Sequence, residues 1–169
     1  MDLKNIISLI ENNEQYIEWK KNNPETYLVH VFKMLDQPNK DEVQIGYYNK
    51  TNKLITTFVL NEKDNEINQN PESETFKETE DHIKELDLNK VEINFATLMN
   101  KIEKIRQEKY TSHLPDKTFF ILQNIDNQIM WNFTIIAKTL SIVNIKIDAT
   151  NGNVIDDKLT SVFDFKANQ

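Results

Sequence analysis

Cysteine is absent from this chain, and glycine occurs only twice, at Gly46 and Gly152. The first absence excludes a disulfide framework and any thiolate metal site. The second excludes a glycine-rich phosphate loop, which needs several glycines in one turn. No stretch approaches the ~20 apolar residues of a membrane-spanning helix, so membrane insertion is not expected. Basic residues are outnumbered, with 20 Lys and Arg against 27 Asp and Glu and a net charge of −7. Such a balance argues against nucleic-acid binding, which wants a basic face. The chain opens directly into an amphipathic pattern without the apolar stretch of a leader. A cytoplasmic location is expected if Met1 is the native start, and an exported origin if the chain was trimmed.

The residues of common catalytic sites are missing as well. No Gly-x-Ser-x-Gly elbow exists, and none of Ser8, Ser73, Ser112, Ser141 and Ser161 sits in a turn suited to a nucleophile. Ser112 and His113 are chain neighbours, which is not the geometry of a triad. There is no His-Glu-x-x-His pair. His82 with Glu78 and Glu85 shares one helical spacing, but one histidine among many glutamates reads as a solvated acidic helix. Asp148, Thr150, Asn151, Asp156 and Asp157 resemble calcium ligands in type but not in spacing, so they read as a hairpin turn. The expectation is therefore a protein that is not an enzyme and that holds no cofactor or metal.

What is present is β pattern, clearest over Ile129–Ile155. Trp131, Phe133 and Ile135 alternate with Asn132 and Thr134, and Val143, Ile145, Ile147 and Ala149 alternate with Asn144, Lys146 and Asp148. Period-2 alternation marks strands with one buried face. Ala137–Leu140 joins them as a short hairpin connection. Asn151-Gly152 then makes a turn, since both residues tolerate positive φ.

In chain order, Leu3, Ile6, Ile7, Ile10 and Ile17 predict one helix over residues 3–21, stopped by Asn23-Pro24. Residues 26–35 predict a central strand with apolar groups on both faces. Residues 42–49 and 54–61 predict alternating strands, followed by a polar turn at 62–67. Residues 68–90 read as an acidic linker with a surface helix over Glu72–Leu86, docked by Phe76, Ile83 and Leu86. The pattern then restarts. Asn94 is a helix N-cap, and Phe95, Leu98, Met99, Ile102 and Ile105 carry the helix to about Tyr110. Thr118–Ile125 is a second doubly apolar strand, with Asp126-Asn127 as its turn. Lys158–Phe165 adds a last strand, with Val162, Phe163 and Phe165 as docking groups.

Helix, apolar strand and two alternating strands thus occur twice, in residues 1–67 and again in residues 91–169. Placing Leu54 beside Ser141 puts Phe58 on Ile145, Leu60 on Ile147 and Asn61 on Asp148. The expected fold is α+β, two repeated αβββ units of helix on antiparallel sheet.

A tryptophan-bearing strand followed by one ending in Asp148-Ala149, with Gly152 and Val154 in the turn, resembles the C-terminal half of a PepSY-type domain. The likeness covers residues 91–156 best, and the first copy has no glycine at the matching turn, Glu62–Glu66. The resemblance implies a cystatin- or PepSY-like architecture in tandem and an exported or membrane-tethered setting. It also implies a regulatory module that binds protein and restrains a peptidase. The expected partner is a protein, with the chain itself a monomer or homodimer. Tyr47, Tyr48, Trp131 and Phe133 are the candidate binding surface, Tyr48 foremost and Trp131 more often a core residue. The alternative is a small-ligand carrier or sensor. Its signature would be a pocket of several hundred Å³ lined by Trp131 and the Phe95 helix.

Overall fold

The computed structural model describes residues 1–71, 73–74 and 83–161. Its elements follow the restarting pattern. α1 (Leu3–Glu11) and α2 (Glu14–Asn22) precede β1 (Thr26–Met34), β2 (Glu42–Asn49) and β3 (Leu54–Asn61). Two short strands, β4 (Ile67–Gln69) and β5 (Ser73–Glu74), come next. A 3-10 turn at Leu88–Lys90 leads to α3 (Phe95–Lys109). β6 (Pro115–Ile125), β7 (Gln128–Ala137), β8 (Ser141–Asp148) and β9 (Val154–Ser161) complete the described chain.

The single helix expected over residues 3–21 is two. Asn12 ends the first and Asn13 caps the second, its Oδ1 accepting from Gln15 N at 2.9 Å. Asn12 turns its Nδ2 back to Ser8 O. Short polar side chains that bond the local backbone compete with helix continuation. The break re-aims the chain, so Tyr16 and Trp19 reach the core while Ile17, on the expected stripe, is exposed.

The strands form one antiparallel sheet in the order β4-β3-β2-β1-β6-β7-β8-β9, with β5 also on β3. Two separate sheets were expected. They are one because β1 and β6 pair directly, from His30 on Gln123 to Met34 on Phe119. Both strands are rich in apolar residues and sit at the centre of the sheet, and their pairing removes two open edges. The three helices lie on one face, where Ile10, Leu98 and Ile102 meet Val31, Ile45, Phe58, Phe120, Phe133 and Ile145 in one core.

On either side of β1–β6 the register is laid out alike. Ile45 opposes Phe58 in the first half, and Phe133 opposes Ile145 in the second. The turns that follow share their hydrogen bonds. Asn61 N donates to Glu66 O, and Asp148 N to Asn153 O. Asn65 N donates to Asn61 O, and Gly152 N to Asp148 O. Asn61 Oδ1 accepts from Lys63 N, and Asp148 Oδ1 from Thr150 N. Gly152 has φ 76°, and Asn65, at the matching place, has φ 58°. Asparagine is among the residues that enter this left-handed region readily, so the first turn forms without glycine.

The acidic segment departs from expectation. Ser73 and Glu74 pair with Ile55 and Leu54 as strand, and residues 83–87 are irregular, where a helix was expected. Backbone pairing with β3 is available there, and Leu86 N finds Leu28 O on β1. The rest of that expected helix, with Phe76, Glu78 and His82, lies outside the described residues, as do Val162, Phe163 and Phe165.

Candidate functional site

A pocket of about 300 Å³ opens where the start of α1 and the segment 88–95 meet β7. Trp131 contributes its inner wall, and Leu3, Leu88, Val91, Ile93 and Phe95 contribute apolar sides. Asp2, Lys4, Glu92 and Asn94 are the polar lining.

Each wall is held by local chemistry. Asp2 caps α1, accepting from Asn5 N at 3.2 Å. Asn94 caps α3, accepting from Thr97 N at 2.9 Å, which fixes Phe95 at the helix start. The segment between is pinned to the sheet by Glu92 N on Ala149 O at 3.0 Å. Lys4 Nζ is tethered to Asn89 Oδ1 at 3.2 Å. Gly152 is part of this frame, because a Cβ there would lie 2.9 Å from Ile93 Cδ1. Lys101 Nζ donates to Gly152 O and ties α3 to the same turn.

Trp131 also carries a sealed, unused donor. Trp131 Nε1 is buried and meets no acceptor among the described residues. An indole N–H out of water without a partner costs about 1–3 kcal/mol. Around it, Trp131 meets Phe120 edge-on at 5.1 Å and Phe95 at 6.2 Å.

A second, wider cleft of about 930 Å³ runs between α1–α2, the start of β1 and the segment 84–90. Glu11 lies in it, accepting from Tyr47 Oη at 3.1 Å. Burial, and then the Glu11 charge, push the Tyr16 hydroxyl up to about 12. Burial raises Tyr47 as well. Both phenols therefore stay protonated near neutral pH and act as donors to the carboxylate. Lys20 is occupied by Thr26 O at 2.6 Å. The lining mixes both charges, with Lys84 and Lys90 beside Glu85 and Asp87.

The four aromatics expected at a binding surface are all buried, none more than 4 % exposed. Tyr47 is roofed by α2, with Tyr16 at 5.0 Å and Trp19 at 5.8 Å. Tyr48 faces away from the helices, yet Tyr27 covers it edge-on at 5.7 Å. Tyr27 is itself held by Ile83 O and by Lys50 Nζ over its ring. Phe133 is sealed in the core, while Tyr47 lines the wider cleft and Trp131 the smaller pocket. Leu88, Val91 and Ile93 were passed over in the sequence because they straddle the boundary between the expected linker, residues 68–90, and the second unit, and continue no periodic pattern. Their signal was three apolar residues just ahead of an N-cap.

The acidic residues of the last turn are occupied within the protein. Asp148 accepts from Thr150 N and Oγ1, which holds its carboxyl below the usual range. Asp157 is held by Lys109 and Tyr110, and Asp156 by Lys158. Among the described residues no three His, Asp or Glu side chains gather as a metal site.

No family model matches the chain, and no curated protein matches it. Its fold is similar to that in the crystal structure of a putative lipoprotein from Clostridium difficile 630, with a TM-score of 0.53 at 10 % identity. The likeness covers 87 % of this chain and 91 % of that one, and it shows a shared α+β fold. Among the described residues no helix is long and apolar enough to cross a membrane.

Proposed function

We propose that this chain is a non-enzymatic binding module whose ligand is a small apolar molecule bearing a hydrogen-bond acceptor. The observation that carries the reading is the Trp131 pocket: apolar walls closed by a tryptophan whose indole N–H is buried and unpartnered. Of the two readings weighed from sequence, this favours the carrier or sensor over a protein-binding surface, since Tyr47, Tyr48, Trp131 and Phe133 are buried. A volume of 300 Å³ suits a ligand of about ten heavy atoms. A carboxylate or carbonyl would pair with Lys4, or accept from Nε1 once the indole turns toward it, and the tail would replace water against Leu3, Val91, Ile93 and Phe95.

The module is read as two copies of one helix-and-sheet unit, residues 1–67 and 91–169, joined through residues 68–90. The shared turn bonds at Asn61 and Asp148 support that duplication, and with it the PepSY-like resemblance. The lipoprotein whose fold is similar supports an exported origin. A peptidase-restraining role rests on the resemblance and would use a surface other than the four aromatics.

The test is a calorimetric titration of the protein with octanoate, benzoate and indole. Saturable binding of at least one is expected, weakened at least tenfold by Val91→Trp, which fills the pocket, and several-fold by Trp131→Phe, which removes the donor. No saturable binding up to about 5 mM, or binding indifferent to Val91→Trp, overturns the proposal.

A further inference from the structure

The two ends of the sheet are unequal. One ends in β4, three residues long, while the other ends in β9, eight residues long, with no strand on its outer edge among the described residues. A long open edge presents a row of unpaired N–H and C=O groups, and soluble proteins usually blunt it. β9 instead carries Val154, Ile155 and Leu159, 39 to 47 % exposed.

Which face each β9 residue takes follows from β8. Asp157 and Leu159 oppose Ile145 and Val143 on the helix side, while Asp156, Lys158 and Thr160 oppose Lys146, Asn144 and Ile142 on the other. We infer that two copies of this chain associate edge to edge through β9, antiparallel, with the two-fold axis at Asp157. In that register Ile155 stands opposite Leu159 of the second copy. Asp156 stands opposite Lys158 of the second copy, and both contacts occur twice. Cross-strand pairs of this kind are what stabilises an antiparallel ladder.

Shifting the axis one residue spoils the match. Centred on Lys158, the two lysines oppose each other and Asp157 faces Leu159. Centred on Asp156, the two Asp156 side chains meet and Asp157 faces Ile155. In the favoured register the like charges on the axis are the two Asp157 carboxylates. Each is already matched, by Lys109 Nζ at 2.8 Å to both oxygens and by Tyr110 Oη at 2.9 Å. The register shift between β8 and β9 beside Val154 bends the strand there, which limits the match to residues 155–159 and closes the pair as a dimer.

The experiment is sedimentation equilibrium on the full chain, with thermal unfolding by circular dichroism to verify that each variant folds. The wild type is expected to dimerise. Lys158→Asp places Asp against Asp156 twice and should weaken the dimer on the order of tenfold or more. The swap Asp156→Lys with Lys158→Asp restores opposite charges and should restore the dimer. Leu159→Lys should abolish it. A wild type that stays monomeric up to about 1 mM overturns the inference. So does a dimer unmoved by Lys158→Asp or Leu159→Lys, or one that the double swap fails to recover.

Discussion

The two sides of the central β1–β6 pair repeat one register with different side chains in it. Where the first half sets Ile45 against Phe58, the second sets Phe133 against Ile145. Where the first sets Val43 against Leu60, the second sets Trp131 against Ile147. The turns after β3 and β8 share their hydrogen bonds with Asn65 in one and Gly152 in the other. The halves differ in what surrounds this frame. The first has two helices and, away from them, the Tyr27–Tyr48 pair. Among the described residues the second has one helix, a polar ladder in which Asn144 Nδ2 donates to Asn132 Oδ1 at 2.7 Å, and a long edge with no strand beyond it. Backbone pairing and an apolar inner face are what the fold demands twice. Pocket and edge belong to the side where those demands leave freedom.

The largest effect expected from breaking this comparison is in the core. Trp131→Ala should cost about 3–5 kcal/mol, while Val43→Ala, at the corresponding place, should cost roughly 1–3. Urea unfolding of the two variants measures both, and equal losses would mean that Trp131 holds no more of the core together than Val43 does at the corresponding place.

Next comes a group peculiar to the first half. The His30 ring packs against Gly46, where an added Cβ would lie 2.2 Å from His30 Cε1. Burial lowers the His30 pKa from 6.5 to about 4. The unfolded chain therefore takes up this proton at higher pH than the folded one. The stability contributed is complete above pH ~6.5 and is lost as pH falls toward 4, by about 3 kcal/mol. Unfolding free energies from pH 7 to 4 should fall more steeply for wild type than for His30→Gln, and identical slopes would refute the assignment.

The smallest effect sharpens the turn equivalence. Asn65→Gly should change stability by less than about 0.5 kcal/mol, since both residues adopt the left-handed region. Gly152→Asn should cost about 1–2 kcal/mol, because its Cβ would press on Ile93 Cδ1. Thermal unfolding of the pair reads the difference. Equal effects would show that Ile93, and the pocket wall it forms, yields freely.

Much of the fold was legible. The strands at 42–49 and 54–61 and the helix capped by Asn94 follow from alternation, helical spacing and capping, which are local. The candidate surface was not legible, because exposure is not local. Tyr48 alternates outward as a solvent-facing residue would, and only Tyr27 from the neighbouring strand buries it. Residues 88–93 hid in a polar stretch, since three apolar side chains carry no periodicity until α1 and β7 are brought beside them.

By itself, the sequence determined strand positions, helix caps and turn chemistry, all set by interactions within a few residues. Tertiary structure alone decided that β1 and β6 join two sheets into one, that the aromatic quartet is sealed, and that Trp131 meets Met1–Lys4 and Val91–Phe95 around a cavity. Those outcomes depend on contacts between distant segments, where shape and burial are properties of the assembled layers and not of any single stretch of chain.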